Sequence, residues 1–91
     1  MNVAIADDAI PVVKESIQKE VVLLESKKHL VETEIQEFEE KYHLKSAEFL
    51  VKFESGDLSD SQNFFEWWGL LTGLKKLEDN LNKARAVVAY W

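Results

Sequence analysis

Ninety-one residues fit one domain and leave no room for separate catalytic and regulatory halves. With 46% hydrophobic, 31% charged and 11% aromatic residues, the chain is too apolar for intrinsic disorder. The absence of cysteine excludes disulfide frameworks, thiolate metal sites, iron–sulfur clusters and a cysteine nucleophile. Seventeen acidic against eleven basic residues, a net charge of -6, repel a phosphate backbone, so direct nucleic-acid binding is not expected. A basic protein partner is compatible with the same charge.

Met1 to Asp8 carry no positive segment and lead into no long apolar stretch, so a secretory signal is not expected there. Asp7 and Asp8 offer cap oxygens, and Pro11 is tolerated in a first turn, which predicts a helix from about residue 9. Its apolar positions are Ile10, Ile17, Val21, Leu24, Val31, Ile35, Phe38 and Tyr42. From Ile17 they follow alternating steps of four and three, broken only at Lys28. The spacing predicts one uninterrupted helix over 9–42. Such a helix is roughly 50 Å long, whereas a globule of this size has a radius of gyration of about 12 Å, so an elongated molecule is expected. Lys28 in the seam either sets register, as polar seam residues do, or snorkels past it. The longest aliphatic run, Val21 to Leu24, is far short of a membrane span, and a soluble cytoplasmic protein is expected.

Lys41 to Lys45 end this helix with basic groups, and Ser46 is placed to cap a short helix over 46–54 with an apolar face of Phe49, Leu50 and Phe53. Gly56 and the polar residues from Ser55 to Asn63 form a loop. A third helix, over about 62–89, has the seam Trp67, Leu70, Leu74, Leu77, Leu81, Ala84, Val88 and Trp91. Three glycines and one proline leave little turn chemistry for strand hairpins, so the fold class is all-α. The two seams predict an antiparallel helical hairpin that returns Val88 and Trp91 toward Ile10, Val13 and Ile17.

The hairpin leaves apolar surface over. Phe64, Phe65, Trp67, Trp68, Leu70, Leu71 and Leu74 cover more than half a helix circumference, and Phe49 and Phe53 of the short helix can take only part of it. Val21, Val22, Leu23 and Leu24 spread through about 300 degrees of the first helix and cannot share one neighbour. Gly69 and Gly73 lie four apart on one face, which predicts close helix approach, either across an intersubunit crossing or as room for Phe49 or Phe53. These features predict a homodimer, or a higher homo-oligomer, built as a four-helix bundle. The predicted interface is Val21, Val22, Leu24, Phe64, Trp67, Trp68, Gly69, Leu71, Gly73 and Leu74.

No catalytic, cofactor or metal site is expected. His29 and His43 fall on one helix about 21 Å apart, and the acidic tract Glu32, Glu34, Glu37, Glu39 and Glu40 lacks the Glu-x-x-His step of di-iron bundles. The serines have no histidine and aspartate arrangement to activate them, and no glycine-rich loop cradles phosphate. Four pairs at four-residue spacing, Glu15 with Lys19, Glu37 with Lys41, Glu48 with Lys52 and Asp79 with Lys83, are expected to decorate exposed faces.

The runs Phe38 to Phe49 (FEEKYHLKSAEF), Phe53 to Leu58 (FESGDL) and Phe64 to Leu71 (FFEWWGLL) resemble small prokaryotic helical proteins, some of which look like the antitoxin halves of two-gene toxin–antitoxin modules. The resemblance covers the last two-thirds of the chain and transfers no functional residue. It lacks the basic DNA-binding segment and disordered tail that antitoxins often carry. What it implies is a non-enzymatic protein-interaction module, antitoxin-like or adaptor. The alternative is a purely structural oligomer, and exposure of Trp67, Trp68 and Trp91 separates the two.

Overall fold

The computed structural model describes residues 8–90. Asp7, Trp91 and the Val3 to Ile5 segment lie outside the described residues. Three helices account for nearly all of them: α1 (Ile10–Tyr42), α2 (Ser46–Glu54) and α3 (Gln62–Ala89), with no strand among the described residues. The fold is all-α. Its extents are 57 × 26 × 19 Å and its radius of gyration is 18.2 Å, half as large again as the roughly 12 Å of a compact chain of this length.

Local capping differs from the sequence expectation at two helix starts. Asp8 lies one residue too early to cap α1. Ala9 holds that position in right-handed backbone with no side-chain bond, its carbonyl accepting the Val13 N–H at 3.1 Å, and Pro11 removes one donor that would otherwise be orphaned. Ser46 is likewise not the cap of α2 but its first helical residue, following an extended Lys45. The end of α1 is sharp. His43 takes left-handed backbone (φ 52°) and its N–H reaches back to the Glu39 carbonyl, which also accepts the Leu44 N–H at 3.2 Å. Histidine is among the few non-glycine residues that tolerate this geometry.

α1 and α3 run antiparallel with their seams facing, and α2 packs on α3 at the closed end. The pairing along the hairpin reads Tyr42 with Phe64, Phe38 with Trp67, and Glu25 with Arg85. Val88 lies beside Gln18 and Val21, not at Ile10 or Val13. By helix rise Val13 is about 12 Å further along α1 than Val21, so the longer helix outruns the shorter at the open end. The buried core is correspondingly small: Leu24, Ile35, Phe49, Trp67 and Leu81.

The four consecutive aliphatics of α1 divide as helix geometry requires. Leu24 is buried, Val21 is half-buried, and Val22 and Leu23 face water. Gly69 and Gly73 correct a second expectation. Both are exposed, and a Cβ built on either would meet nothing within 4 Å. They make no room for Phe49 or Phe53 and no close approach within the chain, because they fall on an open flank of α3, Gly69 about 160 degrees and Gly73 about 120 degrees around the axis from Trp67.

Candidate functional site

The densest chemistry in the molecule is an aromatic node where α2 closes the hairpin. Trp67 enters from α3 and is fully buried. Its ring stacks on Phe49 of α2 at 3.9 Å and 8°, on Phe38 at 5.8 Å and 9°, and on Tyr42 at 6.0 Å and 17°. All three helices therefore meet on one side chain. An indole so placed needs a partner for its N–H, and Nε1 donates to Ser46 Oγ at 3.2 Å. The Ser46 backbone N–H, one of the orphan donors at a helix start, goes to Glu39 Oε2 at 2.8 Å. Asn63 Nδ2 donates to the Tyr42 hydroxyl at 2.9 Å, tying the start of α3 to the end of α1.

The Glu39 carboxylate thus does what a Ser46 cap was expected to do, from seven residues upstream. Removing it with Glu39→Ala leaves that N–H unpaired and removes a favourable charge from the N-terminus of α2. The expected result is a loss of about 1 kcal/mol, seen as a melting temperature lower by about 4–8 °C. Glu39→Gln keeps an acceptor and is expected to lose less. Equal melting of the parent and both variants would show that the bond contributes nothing.

Outside the node the aromatics spill to the surface. Phe53 meets Phe65 edge-on at 5.3 Å and Trp68 at 6.2 Å. Phe65 is 54% exposed, Trp68 39% and Val51 70%. Phe65 and Trp68 therefore form a small apolar patch against Phe53 at the joint of α2 and α3, whereas Val51 lies on the opposite side of α2.

The residues predicted as an interface separate into three groups. Trp67 and Leu24 are covered by the chain itself, which corrects their expected place between subunits: the excess of apolar residues is real, but these two are consumed by internal packing. Val21, Phe64, Leu71 and Leu74 are half-buried, and Val22, Trp68, Gly69 and Gly73 are exposed. Sequence reasoning missed Val51, Val12 and Leu30 as exposed apolar positions. Leu30 carried a legible signal, since it lies seven residues from Leu23 and off the main seam.

Charge is arranged mostly on the periphery. The expected pairs Glu15–Lys19 (3.4 Å) and Asp79–Lys83 (2.9 Å) form, and exposed pairs of this kind contribute little. Lys41 instead lies over the Tyr42 ring at 5.5 Å, and neither Glu37–Lys41 nor Glu48–Lys52 closes to ion-pair distance among the described residues. Arg85 bridges the helices to Glu25 at 3.1 Å. A groove of about 670 Å³ beside the hairpin is lined by Glu34, Glu37, Glu66 and Lys41 together with Phe38 and Leu70. No group of three or more His, Asp or Glu side chains converges to hold a metal ion among the described residues. No helix among them is long and apolar enough to cross a membrane.

Compared with protein-family models, with curated proteins and with solved structures, the chain matches none.

Proposed function

We propose that this protein is a non-enzymatic protein–protein interaction module, antitoxin-like or adaptor, that acts as a homo-oligomeric helical bundle in the cytoplasm. The observation that carries the reading is apolar surface the chain does not cover by itself. The molecule exposes 6894 Å², whereas a compact monomer of 10.5 kDa exposes about 5,400 Å². The excess of about 1,500 Å² follows from the elongated shape, and it includes the exposed large apolar side chains Val22, Leu23, Leu30, Phe65 and Trp68. Phe65 and Trp68 are the part of it best suited to a different protein, because aromatic anchors dominate binding energy. The acidic faces around them favour a partner of opposite charge.

Trp67 favours the second reading, a purely structural assembly protein, since that tryptophan is wholly spent on the fold. Trp68 decides between them. A Phe65→Ser and Trp68→Ser double variant is expected to keep the helical circular dichroism of the parent and its oligomeric mass while losing the protein that co-purifies with the parent from its native cells. Retention of that protein would remove this patch as its binding site, a parent that co-purifies with no other protein would favour the structural reading, and a single-chain mass for the parent in sedimentation equilibrium at all concentrations would overturn the homo-oligomer altogether.

A further inference from the structure

The face of α1 turned away from α3 carries a second heptad series that the hairpin leaves empty. It runs Val12, Ser16, Lys19, Leu23, Ser26, Leu30, Thr33 and Glu37 in alternating steps of four and three, and every member is exposed. Such spacing holds one stripe in line along a helix. Val12 is 63% exposed, Leu23 49% and Leu30 65%, large aliphatics where a purely solvated face would be polar.

The small polar members of the stripe are already satisfied. Ser16 and Ser26 hydroxyls donate to the carbonyls of Val12 and Val22 at 3.0 and 3.1 Å, and Thr33 Oγ1 donates to the His29 carbonyl at 2.9 Å. Covering them would orphan no donor. Around Ser26 lies a shallow hollow of about 480 Å³ bounded by Val22, Glu25, Ser26, His29 and Leu30.

The stripe is complementary to itself when reversed. In one antiparallel register Leu30 of each copy lies over Ser26 of the other, and Leu23 lies over Thr33. The same register sets Lys19 against Glu37 and Glu15 against Lys41, each contact occurring twice about the twofold axis. Large residues meet small ones and cations meet anions at both ends. Sliding one heptad toward the N-terminus sets Lys19 against Leu30 and Val12 against Glu37. A parallel alignment lays the tract Glu32, Glu34, Glu37, Glu39 and Glu40 on its own copy, where like charges repel.

We propose that a second copy of this chain docks along this face, joining two hairpins through an antiparallel α1–α1 contact centred between Ser26 and Leu30. The proposal rests on the homo-oligomeric reading above and assigns it a surface other than the Gly69 and Gly73 flank of α3.

The chain has no cysteine, so introduced thiols report the contact without background. Ser26→Cys mixed with Leu30→Cys is expected to give a disulfide-linked dimer under mild oxidation, in greater yield than either variant alone, whereas Gly73→Cys on the open flank of α3 gives none. Lys19→Glu and Glu37→Lys, each on an exposed side chain, are each expected to weaken the dimer on the order of tenfold in sedimentation equilibrium. Combining them in one chain restores it. A parent that sediments as a dimer but shows no mixed cross-link and no response to charge reversal overturns this surface and leaves the oligomeric reading standing. A dimer that cross-links through Gly73→Cys does the same. A parent that sediments as one chain overturns both.

Discussion

Trp67→Ala is expected to melt more than about 10 °C below the parent, because deleting a buried tryptophan costs about 3–5 kcal/mol. A domain of this length stands only about 5–14 kcal/mol above its unfolded state, and a five-residue core places this one toward the lower figure. The loss is large for a structural reason. Trp67 stacks on residues of both α1 and α2, touching Phe38, Tyr42 and Phe49, with Phe64 tilted against Tyr42 and Phe49 beside it, so its removal opens a void at the junction of three helices. Trp67→Phe separates the two contributions. It keeps an aromatic face on Phe49 but loses the bond to Ser46 Oγ, and it is expected to fall between parent and alanine. Chemical denaturation of the three proteins checks this, and an alanine variant within about 1 kcal/mol of the parent would remove the node from the centre of the fold.

Leu81→Ala is expected to act on the other end of the molecule. Leu81 is 1% exposed and lies on α3 four residues before the Arg85 that reaches Glu25. Its truncation is expected to cost about 2–5 kcal/mol. The open half of the hairpin has no third helix, so a cavity there has little surrounding structure to spread over. Hydrogen exchange should show the final turns of α3 and the facing turns of α1 losing protection while amides near Phe49 and Trp67 keep theirs. Uniform loss of protection along both helices would mean instead that the hairpin opens as one unit. Leu74, half-buried in the same seam, is by this logic a stability position, and Leu74→Glu damages the hairpin before it reports on association.

The three-helix joint at the closed end and the two-helix open end also differ in what their surfaces offer a partner. Phe65 and Trp68 stand on the rigid node, where little side-chain or backbone freedom remains to be lost on binding. The outer stripe of α1 runs along the whole length of the hairpin, including the part beyond Val88. A second copy laid along it would brace the half of the molecule that α2 does not reach.

Helix ranges and the pairing of seams were legible because they depend on periodicity, and periodicity is a property of residue order. Alternating threes and fours from Ile17 to Tyr42 and from Trp67 to Val88 specify which face of each helix is apolar, and scarce glycine and proline leave the helices unbroken. Caps were less legible. Ser46 looks like a cap in sequence, yet a carboxylate seven residues away takes its amide, and nothing local in the chain announces that.

Residue order alone therefore determined an all-helical, elongated hairpin and the existence of more apolar surface than two seams can hide. Tertiary structure decided where the surplus goes. It sent Trp67 and Leu24 inward, left Trp68, Phe65 and Leu30 in water, turned Gly69 and Gly73 to open space, and set Val88 beside Val21. The physical reason is that a helical pattern gives the direction of a side chain about its own axis, whereas exposure depends on the axial offset and rotation between helices. Those are set by the fit of large rings at one joint, a property of three helices together.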